Sequence, residues 1–263
     1  MKKSVFPYIF ITILVVVFTV YLFGKQKPES DRAIQQLNNF NYLPTSTTKE
    51  IVKHHHYTLS YSEKDEQAEW VAYELTAEET QPKFKRSNHF VSDPEVRTGS
   101  ATPDDYKKSG YDRGHLAPAA DMEFAADAEK ECFYMSNMSP QDKAFNRGIW
   151  NQLEEQVRYW ARTYGKIYVV TAGVLSKTQG FIGHSNHVSI PKYFYKTILT
   201  DYNCKLHLLT VLLPNEEGHN SLQSYSITTD SLEKLTHIDF WHTLPDSVES
   251  KLESRIEQNF WWK

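Results

Sequence analysis

Large and small residues alternate over residues 57–61 (YTLSY), and β-branched and aromatic residues crowd residues 70–75 (WVAYEL). Both patterns predict strands, and their closeness in the chain predicts an antiparallel pair that starts a sheet. The two strongest later strand signals lie at 166–172 (KIYVVTA) and 206–213 (LHLLTVLL), with further strands expected at 187–191 and 194–200. Residues 173–186 read as a loop. Helical spacing predicts a short helix at 125–131 and a longer one from Ser139, with Ser139 as N-cap, Pro140 at the first helical position and Asp142 in the first turn. In that longer helix Ile149, Leu153, Val157 and Trp160 form an apolar stripe for the core. Asn146, Trp150, Glu154 and Arg158 recur every four residues beside it, and Gly148 is expected to loosen the geometry. Residues 231–235 and 246–256 suggest helices packing with Phe240 and Trp241. No repeat or second domain is visible, so the fold class is α+β: a central, mostly antiparallel sheet with flanking helices.

The N-terminus follows another pattern. After Lys2 and Lys3, residues 5–23 contain 19 positions without a charge. At about 1.5 Å per residue a helix of that length just reaches the roughly 30 Å of a bilayer core. The run ends without the small residues of a cleavage site, which favours an uncleaved signal-anchor over a cleaved signal within residues 1–24. Residues 25–55 read as a polar linker and 56–263 as the globular domain. Three adjacent histidines, His54, His55 and His56, point in different directions on a helix or a strand. They read as solvated linker rather than as a shared metal shell.

The formal charge is −4, whereas proteins that hold nucleic acid usually present a basic surface. Positive charge for such a partner must therefore be local. The two cysteines, Cys132 and Cys204, suit either one disulfide after export or two buried thiols.

Candidate chemistry concentrates between residues 109 and 158. In a strand, Arg113 and His115 of the run Asp112-Arg113-Gly114-His115 share a face. Imidazole takes a proton near neutral pH, and guanidinium grips phosphate with a planar fork. A strand carrying these groups beside a helix carrying Asn146, Glu154 and Arg158 suits cleavage of a phosphodiester. Other motifs are weak. His184 and His187 lack partners at zinc-ligand spacing, and the Gly173–Thr178 stretch lacks the second glycine of a P-loop.

The Asp-Arg-Gly-His run, followed by Ser136-Asn137, Pro140-Gln141, Asn146, Trp150 and Leu153-Glu154, resembles the DNA/RNA non-specific endonuclease family, from about residue 56 to 253. That family includes endonuclease G and secreted bacterial nucleases, and the resemblance implies a ββα-metal (His-Me finger) site. It further implies His115 as general base, Asn146 as the metal ligand, Glu154 as the carboxylate holding metal-bound waters, and Arg113 and Arg86 as phosphate ligands. Arg158 would orient Glu154, Asn137 would support the site, and Asp112 is read equally as a structural salt-bridge residue and a catalytic one. The implied cofactor is Mg²⁺, or Mn²⁺ or another divalent cation; the implied substrates are DNA and RNA, cut to 5′-phosphate and 3′-hydroxyl ends. A nuclease with these properties is expected outside the cytoplasm, membrane-anchored or secreted. Two other classes remain open to the sequence. One is an anchored, non-catalytic nucleic-acid or protein binding module on the same fold. The other is a phosphodiesterase for small nucleotides, which a closed pocket would favour.

Overall fold

The computed structural model describes residues 40–262. The apolar run at 5–23 lies outside the described residues, and among the described residues no helix is long and apolar enough to cross a membrane. In chain order the strands are β1 (Ile51–Lys53), β2 (Thr58–Ser62), β3 (Gln67–Thr76), β4 (Asp112–His115), β5 (Met138–Gln141), β6 (Lys166–Gly173), β7 (Thr178–Ile182), β8 (Val188–Pro191), β9 (Tyr193–Tyr202), β10 (Lys205–Pro214) and β11 (Ser226–Ile227). Seven of them form the central sheet in the order β1-β2-β3-β6-β9-β10-β11, every pair antiparallel. The remaining four make two hairpin-like ribbons, β4 with β5 and β7 with β8.

The helices are α1 (Ala119–Met122), α2 (Ala126–Glu131), α3 (Lys143–Phe145), α4 (Asn151–Tyr164), α5 (Thr229–Thr236), α6 (Asp246–Glu253) and α7 (Gln258–Trp261). The expected apolar stripe drives the packing of α4: Leu153, Val157 and Trp160 are fully buried where it lies against β3, β6 and β9. Burial of each such side chain stabilises by about 1.5–3 kcal/mol. The Trp160 indole also donates to the Trp261 carbonyl at 2.9 Å, which fastens α7 to α4.

Several local expectations are corrected. Residues 41–55, expected within the linker, belong to the folded unit that begins at Asn41. Their polarity is satisfied by distant partners: the Glu69 carboxylate accepts from the backbone N–H of Thr47 at 2.9 Å and from the Ser60 hydroxyl at 2.6 Å. The three histidines are not solvated linker either. His54 pairs with Asp93 at 3.0 Å, His55 with Glu131 at 2.6 Å and His56 with Asp127 at 3.2 Å, so each ties the chain to a different carboxylate.

Ser139 and Pro140 are in β5 rather than at a helix start. Pro140 pairs with Arg113 in a two-stranded ribbon, where its missing N–H is tolerated. The true N-cap is Asp142, whose carboxylate accepts from the N–H groups of Ala144 (2.8 Å) and Phe145 (3.2 Å). The loop expected at 173–186 contains strand β7. Both cysteines are free: Cys132 is buried, but Cys204 is exposed at the β9–β10 turn, so neither a disulfide nor a pair of buried thiols is present. Asn203 and Cys204 both take positive φ there (52° and 59°), the twist a two-residue hairpin requires.

Candidate active site

Strand β4, the turn after it and the segment that follows β5 line a cleft of about 570 Å³. Of the residues singled out by sequence, Arg86, Asp112, Arg113, His115, Asn146, Glu154 and Arg158 all line this cleft. Gly114 explains how the ribbon closes: a Cβ there would lie 2.0 Å from the Gln141 Oε1 atom, so only glycine allows that side chain to lie over the strand.

His115 is 7% exposed and sits among aromatic rings, edge-on to Phe133 with centroids 5.0 Å apart and 5.7 Å from Phe90. Among the described residues neither ring nitrogen has a hydrogen-bond partner. Nε2 is buried, which leaves Nδ1 as the nitrogen open to the cleft. Burial, aided by the positive charges of Arg86 and Arg113, lowers the imidazole pKa to about 3. The ring is therefore neutral throughout the physiological range. Arg113 lies over the Phe90 ring at 4.1 Å and Arg86 over the Phe133 ring at 5.4 Å. The two guanidinium groups thus stand on the same aromatic pair that encloses the histidine. Neither forms an ion pair among the described residues, so both keep charge for an anion. This is local positive charge within a chain of net charge −4.

Asn146 follows α3 on a wide π-type turn, Asn146–Trp150, interrupted at Gly148 (φ −106°, ψ −110°). The wider turn changes the expected four-residue register. Trp150 is fully buried, as a core side chain rather than a base-stacking platform, and Asn151 lines the cleft ahead of Glu154 and Arg158. Asn146 Nδ2 donates to Asp112 Oδ2 at 3.1 Å. Arg147 grips the same carboxylate with two bonds, Nε to Oδ2 at 2.8 Å and a terminal nitrogen to Oδ1 at 3.0 Å. Burial tends to raise the Asp112 pKa, but the bonds from Arg147 and Asn146 outweigh it and leave it below the usual carboxylate range. Asp112 therefore forms a salt bridge, one of the two readings the sequence left open. An ionised carboxylate only accepts, so it fixes the amide nitrogen towards itself and turns the Asn146 carbonyl oxygen away. That arrangement fits a single neutral oxygen ligand for a hard cation.

Arg158 does not pair with Glu154. It donates to the fully buried Asp121 at 2.8 Å, and the Tyr73 hydroxyl donates to the other oxygen of Asp121 at 2.8 Å. Glu154 instead shares its surroundings with the buried Lys196, whose ammonium donates to the Leu116 carbonyl and the Thr171 hydroxyl, each at 3.2 Å. Burial raises Glu154 to about 7, with Lys196 opposing and Asp121 reinforcing the shift. Burial likewise lowers Lys196 to about 8, with Glu154 opposing. Asn137 is fully buried behind the ribbon. Its side chain accepts from Ala117 N (2.9 Å) and donates to the carbonyls of Ala117 (2.9 Å) and Cys132 (2.8 Å). It locks the loop after His115 and lies outside the cleft.

Sequence reasoning missed Phe90, Asp121, Arg147 and Lys196. Only Lys196 carried a signal, a lone charge in the apolar strand 194–200.

A family model described as DNA/RNA non-specific endonuclease matches residues 36–247. The chain belongs to that family. It is 31% identical over 218 residues to Nuclease C1 of Cunninghamella echinulata var. echinulata, covering 77% of this chain and 86% of that one. With a nuclease of Nostoc sp. it shares 29% identity over 230 residues, covering 81% and 82% of the two chains. Its fold matches a chain in the crystal structure of the EndoG/EndoGI complex at a TM-score of 0.72 and 29% identity, covering 81% of this chain and 93% of the other. The protein is thus a nuclease, with the mixed helix and antiparallel-sheet architecture expected of it.

Proposed function

We propose that the chain hydrolyses internal phosphodiester bonds of DNA and RNA with little sequence preference, leaving 5′-phosphate and 3′-hydroxyl ends. The observation that carries the roles is His115: a neutral imidazole with one nitrogen open to a cleft, between two unpaired arginines and in the same cleft as Asn146. His115 acts as general base, taking a proton from the attacking water at Nδ1. Its depressed pKa keeps it in the accepting form. Arg113 and Arg86 bind the phosphate and offset the charge that builds on it. The Asn146 carbonyl oxygen holds a divalent cation, Mg²⁺ in this reading, with Asp112 fixing the amide. With a cation bound, Glu154 would accept from its water ligands, and the Arg158–Asp121 pair holds the helix behind it. When bound, the cation supplies Lewis-acid stabilisation of the phosphate and its leaving oxygen. The residues singled out address phosphate and metal, and the sequence carries no evident motif for reading base edges, which supports low sequence preference.

The N-terminal run at 5–23 supports export, with the nuclease domain outside the cytoplasm and the run as a membrane anchor, or the domain secreted if the run is cleaved. Fractionation of full-length protein with membranes supports the anchor; a mature N-terminus near Gly24 overturns it.

Digestion of plasmid DNA and of RNA, with Mg²⁺ and with chelator, tests the activity. Both substrates should be cut only when the metal is present, and dependence on one recognition sequence would overturn the reading.

A further inference from the structure

Away from the cleft, α5 and α6 pack against each other and against β10. Asp230 and Glu233 are three residues apart on α5 and share a face. Glu253 is the last residue of α6. One carboxylate oxygen from each of these three residues lies within 4.8 Å of the other two.

The arrangement is costly as an all-protein contact. Glu253 is only 5% exposed, and its Oε1 is buried without any hydrogen-bond partner. It stands at the negative end of its helix, where an anion is disfavoured. No lysine, arginine or histidine forms an ion pair with any of the three among the described residues. Glu233 has one N–H donor, from Phe240 at 2.9 Å.

We propose that Asp230, Glu233 and Glu253 form a Ca²⁺ site, separate from the cleft, that clamps α6 onto α5. Three carboxylates from two helices, with water completing the shell, match the oxygen-only, geometrically tolerant coordination of Ca²⁺. Mg²⁺ is smaller, demands near-ideal octahedral geometry and dehydrates reluctantly. The ion would give the buried Glu253 carboxylate a partner and offset the mutual repulsion. Its function is structural: it holds the C-terminal helices on β10 without touching the reacting groups.

The test uses the full chain carrying Asn146→Ala, which removes the candidate ligand of the cleft, stripped with chelator and titrated with Ca²⁺ by calorimetry to about 1 mM free ion. One Ca²⁺ should bind per chain, and adding Glu253→Gln should abolish that binding. Asp230→Asn, at a half-buried position, should weaken it at least about tenfold. At Ca²⁺ one hundred times the dissociation constant, the folded state gains about a hundredfold, a rise in Tm of roughly 5–10 °C. The Glu253→Gln chain should not show this rise, and in chelator it should melt no lower than its parent, because the amide removes a buried acid. Undiminished Ca²⁺ binding by Glu253→Gln, absence of Ca²⁺ binding by the Asn146→Ala chain, or preference for Mg²⁺ at this site would overturn the assignment. None of these readouts depends on nuclease activity.

Discussion

The Asp112 carboxylate holds Asn146 by its amide nitrogen at 3.1 Å while Arg147 clamps both oxygens of the same carboxylate. One acidic side chain on the ribbon thereby sets the orientation of an amide on the following turn. The consequence is directional: the carbonyl oxygen faces away from Asp112 because only the nitrogen can donate to it.

Replacing Asp112 with Asn should therefore weaken metal use more than phosphate binding. An amide at position 112 can donate as well as accept, so it no longer dictates which way Asn146 faces, and it loses the ion pair with Arg147. Removing such a supporting partner typically costs about 10–100-fold in metal affinity or activity. The check is the Mg²⁺ concentration for half-maximal cleavage, which should rise in that range. An unchanged requirement would show that Asn146 is oriented by something else.

His115 leads to two measurements. His115→Ala should lower cleavage by about 10²–10⁴-fold, with partial recovery on adding imidazole, whereas Asn146→Ala should gain nothing from imidazole. Stability offers a second readout. The folded-state pKa lies at about 3, below the ordinary value near 6.5. Between these values the unfolded chain binds the extra proton, so this group's contribution to stability is present above the unfolded value and is lost as pH falls. Over that window it adds a slope of up to about 1.4 kcal/mol per pH unit. Urea unfolding at several acidic pH values should show a shallower pH dependence for His115→Ala than for the parent.

Asn137 is a structural lock behind the same loop. Its deletion to alanine leaves two carbonyls and one N–H without their partner in a fully buried place. At roughly 1–3 kcal/mol for each unsatisfied group, the loss is on the order of 3 kcal/mol or more. That corresponds to a fall in Tm of about 6–12 °C for a domain of this size. Asn137→Asp should be no milder at neutral pH. Aspartate cannot donate to the two carbonyls and would place its charge against them. Thermal melts of both variants decide the point.

The sheet and the principal helix were legible because their signals are local: alternation at 57–61, apolar runs at 166–172 and 206–213, and the Leu153–Val157–Trp160 stripe. The centre of the site was legible for a different reason, the unusual company of Arg113, His115, Asn146 and Glu154. What escaped depends on long-range pairing. Nothing near Asp121 announces that it binds Arg158 and Tyr73. Nor does anything near His54 announce Asp93. The place of Asn151 in the cleft escaped because a π-type turn and a four-residue helical repeat differ by one position, and Gly148 alone does not reveal which will form.

The same dependence on close packing makes Gly114 testable. A methyl group there would overlap the Gln141 side chain, with Oε1 at 2.0 Å and Cγ at 2.5 Å from the added carbon. Overlap with Cγ as well as the amide means that rotation of the amide alone cannot relieve it. Such overpacking typically costs about 1–3 kcal/mol, and here it would push β4 from β5, carrying Arg113 and His115 out of place. Gly114→Ala should therefore lower both Tm and kcat. The colliding Gln141 amide is itself buried with neither polar atom hydrogen-bonded, so removing it leaves no donor or acceptor newly unpaired. Gln141→Ala should be tolerated, and in combination with Gly114→Ala it should restore most of the lost stability and part of the activity. A double-mutant cycle in Tm and cleavage rate checks this. Additive losses would mean that Gly114 is required for another reason, such as close approach of the substrate to the ribbon.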